Sequence, residues 1–468
     1  MPLFGEKLRL IDGLRPRPTP WYAPYPCCTP VHRSPAIALL IVAGAALFID
    51  PPKAQALPSY ARQTGQQCAA CHNGFPELTP YGRLFKLNGY TFDGGKSDYP
   101  PLALMILSSF TNTQASQPGG AAPHFGANNN FALDQTNLFY GGAIAPNLGA
   151  FVQATYDGVG RVLSWDNIDI RYARTANILD AQTVFGVSLN NNPSVQDVWN
   201  TTPAWSFPFV ASALAPSPTA ATMIEQGFAH QVAGLTAYTY WSRLIYLEFG
   251  GYGTLSPKTQ SMLGVNSATN NVINGIAPYW RLAVQHDWER HSLEAGMFGM
   301  SASITPQRMS GFGADHLTDL GIDSQYQFLA DPHSFSVQAS AIFENQILDA
   351  SANPALGFAS NGHNTLRSYH AKATYYYEQT YGATLGLFRV EGTADTALYP
   401  NPPGNSPNST GVIGELDYFP FNHGGPNFWP WLNVKLGVQY ICYPEFNGVS
   451  GGAAANNNTL YAFAWLVL

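Results

Sequence analysis

The segment FSVQASAIFE, residues 335–344, alternates apolar and polar side chains over nearly its whole length. Its phenylalanines, valine and alanines share one parity, whereas its serines, glutamine and glutamate share the other. Since successive side chains of a β-strand point to opposite faces, this pattern predicts a strand with one apolar face and one face that tolerates water. The same alternation occurs at 369–377 and 432–440. The chain is therefore predicted to be mainly β.

The composition favours strands that face lipid. Only 11% of the 468 residues are charged, 13% are aromatic, and the chain has 44 Gly and 36 Pro. Such low charge also suits a helical membrane protein, but beyond the N-terminal region there is no run of 18 apolar residues. Abundant Tyr, Gly, Asn and Thr are instead typical of outer-membrane barrels. A net charge of -7 offers no basic patch, so nucleic acid is not an expected partner.

Period-two patterning extends over the remainder of the chain, and it predicts sixteen strands. The predicted strands are 101–112, 129–143, 148–156, 166–173, 182–190, 229–240, 243–253, 278–287, 291–300, 316–328, 333–345, 366–377, 382–391, 411–420, 431–443 and 459–468. Short links such as 329–332 alternate with long Gly- and Asn-rich segments such as 346–364. Outer-membrane barrels have short periplasmic turns and long outer loops in this order.

We therefore expect residues 101–468 to form a sixteen-stranded transmembrane β-barrel. An even strand count places both ends of the barrel chain on the periplasmic side. The longest gap, 191–228, is expected to be an outer loop that folds inward or caps the mouth. One feature fits less well: barrels of this kind commonly end in an aromatic residue, whereas the last strand here ends in leucine. Its aromatic residues Tyr461, Phe463 and Trp465 are therefore off by one from the usual parity. Cys442 is expected to face lipid or the rim. A secreted β-sandwich would not explain the alternation of short and long links.

The N-terminus has the features of an export signal. A 13-residue apolar run, 36–48, is preceded by Arg33 and followed by the small-residue sequence Ala54-Gln55-Ala56. This run is too short to span a bilayer, and the sequence after it resembles a signal-peptidase site. Residues 1–56 are therefore predicted to be a signal peptide with an extended n-region, and the mature chain is predicted to begin at Leu57.

The sequence CAACH, residues 68–72, has the C-x-x-C-H pattern of covalent haem attachment. Two thiols at this spacing can each add across one vinyl group of a haem, and the adjoining imidazole can then bind the iron. We predict that Cys68 and Cys71 hold one haem c and that His72 is an axial ligand. The alternatives are a chance pattern or a redox dithiol. The haem-bearing segment is predicted to span residues 57–100.

A short helix is expected directly after the C-x-x-C-H pattern, with Thr79 as its N-cap and Asn88-Gly89 at its end. Tyr81, Leu84 and Phe85 share one face of this helix and could cover a porphyrin edge. Arg83 and Lys86 are candidate contacts for the haem propionates, although a solvated basic face is an equally simple explanation. So small a unit barely buries a haem alone, and it is expected to need a second wall.

The segment from C-x-x-C-H through F-P-x-L-x-x-x-G-R-x-F-K-L-x-G-Y resembles the fused monohaem cytochrome–porins of iron-oxidising bacteria. The resemblance covers residues 68 to about 90. It implies an outer-membrane β-barrel with a small α-helical c-type cytochrome plug. It further implies an oxidoreductase of the Fe(II):cytochrome c type, which takes electrons from extracellular Fe(II) and passes them to a soluble periplasmic cytochrome or another soluble carrier.

The sixth iron ligand has several candidates. A methionine ligand raises the potential of a haem relative to a second histidine. Met105 lies on the first predicted strand, on the parity opposite the lipid-facing Leu102 and Leu104, and only 33 residues beyond His72. It is the first candidate, His124 in the first outer loop is the second, and an open sixth position is the third. Met297 is expected to face lipid.

Two other functions are compatible with these patterns. One is a diffusion porin whose haem segment is a structural plug. The other is an outer-membrane electron conduit for a different donor or acceptor. No His/carboxylate constellation at metal-ligand spacing marks a site for substrate iron. Solute flux through the purified protein would favour the porin.

Overall fold

The computed structural model describes residues 58–92, 100–202, 204–400, 404–426 and 431–468. The predicted signal peptide, residues 1–56, lies outside the described residues, as does Leu57. Within these ranges the chain forms a single antiparallel sheet in which every predicted strand is present.

Sixteen long strands span the sheet, and two strands of two residues, β8 and β17, extend it at one end. The strands are Leu102–Thr113 (β1), Asn130–Ala145 (β2), Leu148–Asp157 (β3), Val162–Ile178 (β4), Ala181–Asn190 (β5), Val232–Trp241 (β6), Ile245–Thr254 (β7), Val272–Ile273 (β8), Ala277–Trp288 (β9), His291–Thr305 (β10), Asp315–Leu329 (β11), His333–Ile347 (β12), His363–Tyr377 (β13), Tyr381–Gly392 (β14), Ser409–Tyr418 (β15), Asn433–Phe446 (β16), Val449–Ser450 (β17) and Thr459–Val467 (β18).

The sheet closes on itself because β1 pairs with β2 on one side and with β18 on the other. Closure leaves no unpaired edge. Along β12 the predicted alternation is confirmed: Phe335, Val337 and Phe343 are exposed on the outside, whereas Ser336 and Gln338 are buried on the inside. An apolar exterior around a polar interior is the arrangement that lipid requires of a barrel. The fold is that of an outer-membrane β-barrel.

The alternation of short and long connections is confirmed. One end of the barrel has tight turns, for example 146–147, 179–180 and 289–290, whose residues adopt positive φ angles such as 67° at Asn147. The opposite end has longer connections, including 114–129 and 348–362. The N-terminal segment joins β1 at the short-turn end, and β18 also ends there.

The helices in the described part of the chain are short. The N-terminal segment has α1 (Pro58–Thr64), α2 (Cys68–Cys71) and α3 (Pro80–Leu87), and the long connections contain α4 (Pro257–Met262), α5 (Gly452–Ala455), a π-helical turn Met223–Gly227 and a 3₁₀ turn Pro306–Arg308. None of these helices has the length and hydropathy needed to cross a membrane.

The connection 191–231, here called the inward loop, folds into the lumen as expected. Trp199 is almost fully buried, and its indole Nε1 donates a hydrogen bond of 2.8 Å to Gln285 Oε1 on β9. Asp197 lies 3.6 Å from the buried guanidinium of Arg281. Because charged groups are costly to bury without partners, such pairs hold the loop against the polar inner wall.

The N-terminal segment also lies inside the barrel, against the inner wall. Tyr60 donates a hydrogen bond of 2.9 Å to the carbonyl of Ala150, and Tyr90 donates one of 2.6 Å to Asp169 Oδ2. Ser334 on β12 donates one of 2.7 Å to Asn73 Oδ1. These contacts come from distant parts of the barrel, so the segment is held against the inner wall at several places.

Two sequence-based expectations are corrected or explained by the interior. Cys442 is buried and does not face lipid, because β16 shifts register against β15 near this position and three successive residues become buried. The aromatic residues of β18, Tyr461, Phe463 and Trp465, point inward and pack with Phe75 of the N-terminal segment. Their unexpected parity follows from what the lumen contains.

Candidate functional site

The C-x-x-C-H residues lie in one turn of helix that ends at the histidine. The backbone N–H of His72 donates a 2.9 Å hydrogen bond to the carbonyl of Cys68. The imidazole Nδ1 lies 3.2 Å from the carbonyl oxygen of Pro76. With Nδ1 as the donor, the lone pair is on Nε2, which is how metal-binding histidines are oriented. Burial lowers the pKa of His72 to about 4, so the imidazole is a neutral, ligand-competent base above that pH.

The two thiols are both buried. Burial raises the pKa of Cys68 to about 12, although a 3.2 Å hydrogen bond from Asn433 Nδ2 opposes the shift, and burial raises the pKa of Cys71 to about 12. A redox dithiol depends on a lowered thiol pKa, because the thiolate is the nucleophile. The burial and raised pKa of both thiols argue against a redox dithiol as the explanation of the C-x-x-C spacing.

A glycine sets the position of Cys71 relative to α3. A Cβ added at Gly82 would lie 2.2 Å from the backbone oxygen of Cys71, so no side chain fits there. The N-cap Thr79 accepts a 3.2 Å hydrogen bond from Gly82 N and donates one of 2.6 Å to the carbonyl of Ala70. The expected N-cap is thus confirmed, and it ties α3 directly to the C-x-x-C-H turn.

Two cavities adjoin this turn. The major cavity is lined by Cys71 and His72 and by aromatic residues that include Tyr60 and Phe85. The minor cavity is lined by Cys68 and His72. Both are also lined by Pro76 and Trp205. A mostly apolar cavity with a few placed polar groups is typical of a cofactor site.

Met105 lines the minor cavity together with Cys68 and His72. It is 6% exposed and belongs to a buried cluster with Phe75, Phe139 and Trp465. The predicted inward parity of Met105 is therefore confirmed, whereas its role as a ligand stays a prediction. His124 lies exposed in the connection 114–129, at the long-loop end, and lines neither cavity. Met297 is exposed on the outer face of β10, as predicted.

The two candidate propionate residues have different surroundings. Lys86 lines the major cavity, and its ammonium donates to the carbonyls of Val195 and Asp197 on the inward loop. Burial, with Arg171 nearby, lowers the pKa of Lys86 to about 8. Arg83 lines neither cavity. Its guanidinium is 2% exposed and points at the barrel wall, so the geometry favours a docking role for this residue.

Arg83 makes three side-chain hydrogen bonds to strands that face it. Its Nη1 donates to Gln325 Oε1 at 2.6 Å and to Gln327 Oε1 at 2.9 Å, and its Nη2 donates to Ser292 Oγ at 2.8 Å. Nearby, Glu77 accepts a 2.8 Å hydrogen bond from Gln327 Nε2. These groups join the segment that contains the C-x-x-C-H turn to β10 and β11.

The substitution Arg83→Met is expected to loosen α3 from the barrel wall. It keeps the aliphatic length but leaves buried partners without their donor, and one hydrogen bond to a charged group is worth roughly 1.5–3 kcal/mol. The free energy of protection against amide hydrogen exchange in the peptide 80–90 should fall by about 2 kcal/mol or more. Lys258→Met, at an exposed cation in α4, is the matched control and should leave this peptide unchanged. Unchanged protection in Arg83→Met would contradict the docking role.

Sequence reasoning missed the residues that the inward loop brings to the site. Trp205 lines both cavities, and Phe209 lines the major one. The segment that contains them has no regular structure, and nothing in its sequence indicates where in the lumen it lies. The tyrosine-rich walls of the site were equally hidden, because tyrosine occurs throughout the barrel.

The residues present fit a covalently attached haem. The fit rests on two buried thiols beside an imidazole whose Nδ1 has a carbonyl partner, next to two mostly apolar cavities, and the minor cavity has Met105 in its wall. Within 58–92, 100–202, 204–400, 404–426 and 431–468, no group of three or more His, Cys, Asp or Glu side chains is placed to hold a metal ion.

No protein-family model and no curated protein matches the sequence. Among solved structures, the chain is similar to OmpT, an outer membrane protein of Vibrio cholerae, with 11% identity, 78% of this chain and 96% of that chain covered, and a TM-score of 0.40. It is also similar to the outer membrane channel DcaP of Acinetobacter baumannii, with 13% identity, 78% and 96% coverage, and a TM-score of 0.43. The chain is similar, too, to an anion-selective porin from Comamonas acidovorans, with 10% identity, 78% of this chain and 98% of that chain covered, and a TM-score of 0.40. These similarities are too weak to support an argument about function.

Proposed function

We propose that the protein is an outer-membrane c-type cytochrome that takes electrons from extracellular Fe(II) and passes them to a periplasmic electron carrier. One observation supports the cytochrome above all others: the C-x-x-C-H turn is buried inside the barrel, beside two cavities, and Met105 lines the minor one. A redox dithiol is normally accessible, whereas both of these thiols are buried. The choice of Fe(II) as donor rests on the sequence resemblance.

The proposal assigns a role to each residue of the site. Cys68 and Cys71 hold the haem covalently, and His72 Nε2 is the proximal ligand, oriented by the Pro76 carbonyl. Met105 is the proposed distal ligand. When bound, the haem supplies one-electron chemistry, and the protein sets its position and potential. The apolar walls exclude water, which favours the less charged, reduced state and so a higher potential.

The barrel explains how an exported electron carrier reaches an external donor. In outer-membrane barrels the short turns face the periplasm, so the N-terminal segment enters from that side. A haem attached at residues 68–72 would then lie within the barrel, close to a soluble periplasmic acceptor below and to the long outer loops above. Transfer of one electron from an external donor to a periplasmic acceptor needs neither an energy supply nor a diffusing quinone.

A second function is supported by the fold. A closed barrel of sixteen long strands is the architecture of diffusion porins. In that case the haem-bearing segment is a structural plug. Measurement of solute flux through the protein in planar bilayers separates the two functions, because a porin passes small solutes whether or not its haem is reduced.

The test of the main proposal is anaerobic mixing of outer-membrane vesicles containing the protein with Fe(II) at acid pH. We expect the haem absorption to change from the oxidised to the reduced form on mixing. The matched control is the same vesicle preparation with Mn(II), which is divalent but not a reductant at this potential. An oxidised spectrum that persists with Fe(II) but is lost with a stronger reductant would exclude Fe(II) as the donor.

A further inference from the structure

A third cavity, here called the outer cavity, lies next to the proposed haem site. It shares Met105, Trp205 and Trp465 with the minor cavity. Its lining includes a carboxylate, which the lining of the other two cavities lacks, together with an imidazole and two side-chain amides. Those polar residues are Asp166, His230, Gln135 and Gln153.

The outer cavity lies on the long-loop side of the proposed haem site. β1 runs from the short-turn end at Leu102 to the long-loop end at Thr113, and the cavity extends along it from Met105 to Leu107. Gln135 is the register partner of Leu107 on β2. Asp166 lies near the start of β4, which is at the long-loop end. A donor that approaches from outside would therefore meet the outer cavity before the minor cavity.

Asp166 is held in place by two neighbours. Its Oδ2 accepts a 2.7 Å hydrogen bond from Thr155 Oγ1, and its Oδ1 lies 2.8 Å from His230 Nε2. The Asp166 side chain is 14% exposed and that of His230 is 32% exposed, so the pair is accessible. His230 adopts a φ of 66°, which non-glycine residues seldom do and which is common at functional sites.

We propose that the outer cavity binds a hydrated divalent cation, Fe(II) in the setting of the proposed function, with Asp166 as the group that attracts it. This inference rests on the proposed function for the identity of the ion. One carboxylate in a cavity with polar side chains suits a cation that keeps most of its water ligands. The cavity has too few ligand groups for a chelate, and weak binding suits a substrate that must leave after it is oxidised. His230 is a positioning residue that orients the carboxylate.

The first measurement is binding of Mn(II), a redox-inert divalent probe, to the purified holoprotein by electron paramagnetic resonance. We expect Asp166→Asn to weaken the binding about tenfold, because it removes the charge and keeps the shape of the side chain. Asp349→Asn, at an exposed carboxylate on the same end of the barrel, is the matched control and should bind as the wild type does. Gln135→Glu adds a carboxylate to the cavity and should tighten the binding, which provides a second variant if Asp166→Asn does not fold.

The second measurement compares haem reduction by Fe(II) with reduction by a neutral hydroquinone. Asp166→Asn should slow the first about tenfold and leave the second unchanged. Equal Mn(II) affinity and equal Fe(II) rates in Asp166→Asn and wild type would overturn the cation site and leave the proposed function standing. A wild-type haem that Fe(II) does not reduce would overturn the proposed donor, and Mn(II) binding that depends on Asp166 would then still support the cation site.

Discussion

Replacement of both cysteines of the C-x-x-C-H turn, Cys68→Ala together with Cys71→Ala, is expected to abolish covalent haem completely. The thioether bonds require these two sulfur atoms, and the two cysteines lie at the edges of the two cavities in which the haem would sit. The measurement is peroxidase staining of the denatured protein on a gel, together with intact mass. The wild-type mass should exceed that of the exported chain by one haem.

The matched control for the cysteine pair is Ala69→Ser with Ala70→Ser, which changes the two intervening residues and keeps C-x-x-C-H. It should stain as the wild type does. The heat-dependent gel mobility of the barrel should be the same in all three proteins, because the strands are not altered. Covalent haem that persists in the double alanine variant would rule out the c-type cytochrome.

The second large effect is expected from Met105. Met105→His should keep a low-spin haem but lower its reduction potential, because a second imidazole stabilises the oxidised iron more than a thioether does. Axial ligands span about 0.8 V among haem proteins, and we expect a fall of about 0.1–0.2 V here. The measurement is a spectroelectrochemical titration, followed by mixing with Fe(II), which should then reduce the haem poorly.

Met105→Ala tests the same ligand in a different way. It should open the sixth coordination position, so that added imidazole or cyanide binds and shifts the spectrum. Met297→Ala, on the lipid-facing side of β10, is the control and should alter neither the potential nor the spectrum. If Met105→His and Met105→Ala both retain the wild-type potential and spectrum, Met105 contributes packing only.

The barrel was largely predictable because its signals are local. Side-chain alternation along FSVQASAIFE has a period of two whatever lies nearby, and one face had to be apolar if lipid was outside. The boundaries were less predictable: β4 extends to Val162–Ile178 and β10 to His291–Thr305, beyond the predicted 166–173 and 291–300. Backbone pairing with neighbours extends a strand past the residues whose own pattern indicates it.

The candidate site was predictable only in part, and the reason is sequence distance. Cys68, Cys71 and His72 are adjacent, so their spacing alone indicates what they can hold. Met105 could be assigned to the inner face from its parity on β1. Trp205, by contrast, lies in an irregular connection, and its approach to His72 depends on how the whole inward loop folds.

The sequence by itself determined the sixteen-stranded barrel and the C-x-x-C-H turn, because each depends on neighbouring residues, and the export signal at 1–56 stays a prediction. Only the tertiary structure decided what the lumen contains. The inward-facing aromatic residues of β18 depart from the usual pattern of barrels. The interior explains them, because Phe75 packs against Trp465, with ring centroids 5.2 Å apart. The hydrogen bonds from Arg83 to the barrel wall likewise became visible only in the tertiary structure. Contacts between residues far apart in the chain produce no periodic pattern in the sequence, so the packing of the interior could not be inferred from it.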